Sequence, residues 1–193
     1  PVGTKVTSTE LYDGATWTTG GALGTARYIL SGGGIQSAAF AFGGSTPTPG
    51  PTSITEEYNG SSWTAGGNYP ISVAGAGGTG TQTAGLGCGG STPSSPTLSN
   101  ITAEYDGSSW TASNPLNEGK AYGGTSGSQT SAIYFGGATP VSITGTTESY
   151  DGTSWTTSNP LSVARDSIGS SSTSGTAALA FGGATPTNTV ATE

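Results

Sequence analysis

Large and small residues alternate with a period of two in Ser37-Ala38-Ala39-Phe40-Ala41-Phe42, the pattern of a strand packed between neighbouring sheets. The pattern returns with Leu86 and Cys88, Ile133 and Phe135, and Leu179 and Phe181 in place of Phe40 and Phe42. A diglycine follows each run and ends the strand, where a positive φ or a close backbone approach is needed. A Thr-Pro step then re-extends the chain. It leads into a Ser/Thr-rich strand ending in Glu and Tyr, such as Ser53-Ile54-Thr55-Glu56-Glu57-Tyr58. An Asp-Gly or Asn-Gly pair predicts a hairpin turn, and a Trp opens the return strand. A looser strand, for example Ala26-Arg27-Tyr28-Ile29-Leu30, precedes the next alternating run. No stretch has helical periodicity, and the Gly, Pro and β-branched content opposes one.

These elements are copies of one unit. Tyr12-Asp13-Gly14-Ala15-Thr16-Trp17 returns as Tyr58 to Trp63, Tyr105 to Trp110 and Tyr150 to Trp155. The tryptophans are 46, 47 and 45 residues apart, and Tyr leads Trp by five every time. The segment Gly43-Gly44-Ser45-Thr46-Pro47 keeps the same period, recurring at Gly89, Gly136 and Gly182. The chain 1–193 therefore reads as a single domain of units at about 10–55, 56–102, 103–147 and 148–193. Four short strands in each unit of about 46 residues predict an all-β fold, a β-propeller of four four-stranded blades. One small sheet cannot bury both its faces, but a sheet between two others can. Trp17, Trp63, Trp110 and Trp155, with Tyr12, Tyr58, Tyr105 and Tyr150, are expected to pack between blades. The chain begins with the third and fourth strands of a blade and ends with the first and second. The expectation is that these terminal strands close the ring. Pro186–Glu193 repeats the phase of Pro1–Glu10, so two segments compete for one third-strand position. That leaves a frayed end, a piece of a longer array, or a strand donated to a neighbour.

The diglycine, the Tyr after it and the Trp five residues further on resemble the kelch repeat, and the resemblance covers nearly the whole chain. The Thr/Ser-rich units are also similar to kelch-like repeats encoded by marine bacteriophages and environmental bacteria. That resemblance implies a virion or an extracellular, cell-surface setting. Copper-radical oxidases built on kelch-type propellers use His, Tyr and Cys ligands, and that activity does not transfer to a chain without histidine.

Composition narrows the chemistry. Glycine (35 residues) and proline (11) are abundant, and the net charge is −7. Four Lys/Arg against eleven Asp/Glu argue against nucleic acid as a partner. No apolar run approaches 18 residues, so no membrane insertion is expected, and the first residues lack signal-peptide features. One Cys excludes an internal disulfide framework. The absence of His removes the usual general base and metal ligand. No catalytic residue, metal or cofactor is expected, and the protein is read as not an enzyme. The Asp-Gly-x-x-Trp turn is faintly similar to the aspartate box of sialidases but lacks its Ser-x-Asp-x-Gly spacing. Asp13, Asp106 and Asp151 suit turns, since Asn59 takes the same position.

Two sets of residues remain as candidates for contact. Arg27, Lys120 and Arg165 each follow their Trp by ten residues, while the second unit has no charge there. They either pair with the carboxylates that recur before each Tyr (Glu10, Glu56 with Glu57, Glu104, Glu148) or grasp an acidic partner. Tyr28, Tyr69, Tyr122 and Tyr134 are not demanded by the repeat and are therefore the better ligand candidates, Tyr69 first. Cys88 reads as a small buried hydrophobe. The resulting expectation is a structural or adhesive module contacting other structural proteins or surface glycans, as a homo-oligomer or part of a larger particle. The rivals are a lectin-like propeller and a fibre subunit that exchanges strands.

Overall fold

The computed structural model describes residues 4–47, 50–93, 97–171 and 174–185. Three complete antiparallel sheets follow one another along the chain. The first holds β3 (Ser31–Ile35), β4 (Ala38–Phe42), β5 (Thr55–Tyr58) and β6 (Trp63–Ala65) in that order. The second repeats it with β7 (Gly77–Thr81), β8 (Ala84–Cys88), β9 (Thr102–Tyr105) and β10 (Trp110–Ser113). The third has β11 (Gly124–Ser128), β12 (Ser131–Phe135), β13 (Thr147–Tyr150) and β14 (Trp155–Ser158). A two-stranded sheet precedes them, β1 (Glu10–Tyr12) with β2 (Trp17–Thr19), and another follows, β15 (Gly169–Ser171) with β16 (Leu179–Phe181). The fold is propeller-like and all-β. Pro186–Glu193, the second claimant to a third-strand position, lies outside the described residues.

Register is kept between copies. Ala41 faces Glu56, Gly87 faces Ala103 and Tyr134 faces Glu148 across the second and third strands. The third and fourth strands always close with Tyr opposite Trp, as in Tyr58 and Trp63. The turn between them follows from one carboxamide or carboxylate oxygen. Oδ1 of Asp13, Asn59, Asp106 and Asp151 accepts the backbone N–H groups two and three residues on, at 2.7–3.0 Å. These donors hold the exposed Asp13, Asp106 and Asp151 below the usual carboxylate range, Asp106 at about 2. Asn59 makes the same turn without charge, so hydrogen-bond geometry is the requirement.

The diglycine is a latch between sheets. Both of its residues have positive φ, for example 63° at Gly43 and 91° at Gly44. The second N–H donates to a carbonyl of the following unit: Gly44 to Val73, Gly90 to Lys120 and Gly137 to Arg165, at 2.8–2.9 Å. A Cβ on Gly43 would stand 2.7 Å from the Val73 oxygen, so the approach itself excludes larger residues.

One sequence expectation is corrected here. Residues 26–30 are not a strand. The position twelve after each Trp turns left-handed, with φ of 54° at Ile29, 64° at Gly75, 62° at Tyr122 and 53° at Ser167. Ahead of that kink pairing is confined to isolated bridges, such as that of Tyr28, eleven after its Trp, with Ser45, and the continuous ladder begins beyond it.

The inner strands β3, β7, β11 and β15 stand side by side, each against the next. Their hydroxyls stitch neighbouring sheets: Thr79 Oγ1 donates to the Gly127 carbonyl at 2.7 Å, and Ser170 Oγ to the Thr125 carbonyl at 3.0 Å. Aromatic and aliphatic side chains fill the layers between sheets, one cluster around Phe40, Phe42, Tyr69 and Val73, another around Leu86, Leu116, Tyr134 and Trp155.

Candidate functional site

Each Trp after the first reaches from its own sheet to the one before it. Its indole N–H donates to the threonine three residues ahead of that sheet's Tyr: Trp63 to Thr9, Trp110 to Thr55 and Trp155 to Thr102, at 2.8–2.9 Å. The Tyr hydroxyls do likewise with the preceding carboxylate. Tyr150 donates to Glu104 at 2.6 Å, and Tyr105 donates to Glu57. Tyr58 completes neither, because Leu11 stands where the pattern has Glu57 and Glu104, and its buried hydroxyl has no partner. Tyr12 and Trp17, the first pair, are 47% and 67% exposed, whereas Tyr58, Tyr105, Tyr150 and Trp155 are buried and Trp63 and Trp110 half-buried.

Burial pushes the Tyr150 hydroxyl from its ordinary 10.0 up to about 12, reinforced by the Glu104 carboxylate. Burial and Glu57 push Tyr105 up as well. The folded state therefore holds these protons more tightly than the unfolded chain. The stability they contribute is complete below pH 10 and is lost as pH rises through about 12. Alkaline titration should give phenolate absorbance and loss of β-sheet signal together over that window. Phenolate formation completed near pH 10 on a folded protein would contradict the burial.

The basic residues are interior. Arg27, Lys120 and Arg165 are 3%, 1% and 1% exposed. Arg27 Nη2 pairs with Glu56 at 2.9 Å, and its Nη1 donates to the carbonyls of Gly43 and Ile54. The second oxygen of Glu56 accepts the Gly24 N–H at 2.6 Å. Lys120 pairs with Glu148 at 2.5 Å, and the second oxygen of Glu148 accepts the Asn117 N–H. Burial lowers the Arg27 pKa from its ordinary value, and Glu56 opposes the shift.

The second unit has lost all parts of this arrangement together. Val73 stands at the place of Arg27 and Lys120, Ala103 at that of Glu56 and Glu148, and Pro70, which has no N–H, at that of Gly24 and Asn117. Val73 and Ala103 share one apolar cluster. Tyr69 supplies what the guanidinium would have done. Its hydroxyl donates to the Ile101 carbonyl at 3.4 Å, the counterpart of the Ile54 carbonyl held by Arg27.

These placements correct the expected contact residues. Tyr69 is 2% exposed, its ring 4.8 Å from Phe42 and 4.9 Å from Trp110, and Tyr134 is fully buried. Neither offers a face to a ligand, and the same holds for Arg27, Lys120 and Arg165. Tyr122 is half-buried, its ring against Gly75. Only Tyr28 of this set is exposed, at 38%, with the Lys5 ammonium 4.8 Å above its ring. Cys88 is buried and its thiol pushed up by desolvation. No group of three or more His, Cys, Asp or Glu suited to a metal ion occurs among the described residues.

Two cavities lie at the two ends of the row of sheets. A cavity of about 180 Å³ on the last complete sheet is lined by Ile133, Phe135, Thr147 and Leu161, with Ala180 of β16 beside them. A second, about 420 Å³, lies between the first half-sheet and the sheet β3–β6, lined by Thr9, Leu11, Trp17, Ile35, Tyr58 and Trp63. The sequence pattern had not indicated either one.

No protein-family model matches the chain, and no curated protein matches it. Among solved structures it is similar to the structure of YjhT, with a TM-score of 0.74 over 92% of this chain. What they share is the fold. Identity is 15%, and the match spans 66% of the YjhT chain.

Proposed function

We propose that this chain is a non-enzymatic, kelch-like propeller module that makes protein or surface contacts in a virion appendage or on a cell surface. The observation that carries this reading is the fate of its repeated polar groups. Arg27, Glu56, Lys120 and Glu148 are consumed as buried pairs, and Glu57 and Glu104 receive tyrosine hydroxyls. Such groups serve cohesion of the sheets. What the described residues expose is largely Ser/Thr surface with scattered apolar side chains such as Trp17 and Val141. The virion or cell-surface setting rests on the Thr/Ser-rich kelch-like resemblance.

In this reading β15–β16 and β1–β2 are the two halves of a fourth blade, since they carry its first and second and its third and fourth strands. Joined within one chain they close a ring of four; joined between chains they link subunits. A glycan array with the purified protein should stay silent, and antibody against it should label particle or cell surfaces. Saturable glycan binding lost in Tyr28→Ala would replace this function with a lectin's. Turnover on a glycoside panel that disappears with Glu→Gln changes would replace it with a hydrolase's.

A further inference from the structure

We infer that Lys120 and Asn117 become joined through their side chains by an isopeptide bond, formed by the chain itself with Glu148 as the proton carrier.

All three groups meet on one carboxyl group. Lys120 Nζ stands 2.5 Å from Oε1 of Glu148, and Asn117 Nδ2 donates to Oε2 at 2.6 Å. The backbone N–H of Asn117 donates to the same Oε2 at 2.8 Å, and Thr146 Oγ1 accepts from Nζ at 3.1 Å. A primary amine and a carboxamide are thus held together by a group able to move protons between them, and the attack is intramolecular.

The surroundings suit the reaction. Lys120 is 1% exposed and Glu148 2%, and Nζ lies 5.5 Å from the ring centre of Tyr134, a member of the apolar cluster that also holds Leu116. Separated charges are costly away from water, so passing one proton along the Nζ–Oε1 contact, to give amine and acid, is a short step. Asn117 is exposed, which lets a small leaving group escape to solvent.

The neutral Lys120 amine attacks Cγ of Asn117 with its lone pair. A half-turn of the carboxamide presents Oδ1 to the Glu148 acid, which donates to the oxygen as it gains charge. Nζ then gives up a second proton, which Glu148 carries to Nδ2. The Cγ–Nδ2 bond breaks and ammonia leaves. One secondary amide has formed, and nothing is oxidised or reduced. Glu148 ends as the neutral acid, hydrogen-bonded to the new amide oxygen, so no lone charge remains inside.

The other units supply the contrast. Arg27 and Arg165 carry guanidinium groups, which are poor nucleophiles, and the positions matching Asn117 hold Gly24 and Ser162, neither with a side-chain carbonyl. The second unit has Val73 and Pro70 there. Lysine and asparagine arrive together, in the third unit alone. The bond would tie the segment between β10 and β11 without use of cysteine, which goes beyond the contact function above.

Intact-mass measurement on the folded full chain should show a species lighter by one ammonia. After unfolding, trypsin should fail to cut it between Lys120 and Ala121, so that the peptide from Tyr28 to Arg165 stays whole. Asn117→Ala, at an exposed position, should keep the mass of its sequence and be cut after Lys120, and Lys120→Arg should likewise keep its mass. A succinimide at Asn59–Gly60 also loses ammonia but leaves cleavage after Lys120 intact. Cleavage there in the parent chain as complete as in Asn117→Ala overturns the inference, whatever the intact mass.

Discussion

Replacing Arg27 by valine is expected to cost about 3–5 kcal/mol of folding stability, because it strands Glu56, 4% exposed, without its cation. The same change removes the donor from the Gly43 and Ile54 carbonyls. Glu56→Ala alone should cost a similar amount by leaving the guanidinium buried and uncompensated. The second unit identifies the combination that relieves both. There Val73 and Ala103 pack together, and Tyr69 supplies the hydroxyl for the orphaned carbonyl. The triple change Leu23→Tyr, Arg27→Val, Glu56→Ala copies that set into the first sheet. A well-packed apolar replacement of a buried ion pair is often neutral, so the triple variant should recover to within about 1 kcal/mol of the parent. Urea unfolding of the singles, the Arg27/Glu56 double and the triple gives the coupling energies. If the double costs as much as the two singles added together, the two side chains are independent and this account of the interior fails.

The period, the turn, the diglycine and the order of strands could all be read from the chain because each recurs with its own local cause. The Asx oxygen makes the turn wherever it stands, and the inter-sheet hydrogen bond of each Trp falls in fixed register. The interior place of Arg27, Lys120 and Tyr69 was less visible. It depends on the left-handed residue twelve after each Trp, which carries Ile29, Gly75, Tyr122 or Ser167 and so shows no residue-type signature. A signal did exist in the joint replacement of Gly24, Arg27 and Glu56 by Pro70, Val73 and Ala103. A loss shared by three distant positions points to one buried cluster. The open ends had no such signal, since closure depends on the angle between successive sheets. That angle is set by side-chain bulk summed over the interfaces, and the repeat pattern does not record it.

Trp110→Ala should be the most damaging single change among the repeat residues. The indole packs against Phe40, Phe42, Tyr69 and Tyr105 at centroid distances of 4.8–6.0 Å, joining the first and second sheets. Truncation loses that aromatic surface and leaves a cavity, for a cost of about 3–5 kcal/mol. It also strips the donor from Thr55 Oγ1, in a residue with no exposed surface. That is a large part of the 5–15 kcal/mol typical of a folded domain. Two companion variants separate the contributions. Thr55→Val leaves the packing and removes the acceptor, so it should cost only about 1–3 kcal/mol. Trp17→Ala removes the chemically identical side chain from a 67% exposed position, and at low concentration should change stability by no more than ~0.5 kcal/mol. The ordering Trp110, then Thr55, then Trp17 in thermal and denaturant midpoints tests whether the burial of each indole between successive sheets holds this fold together. Equal losses at Trp17 and Trp110 would mean that the first half-sheet is already enclosed in the single chain.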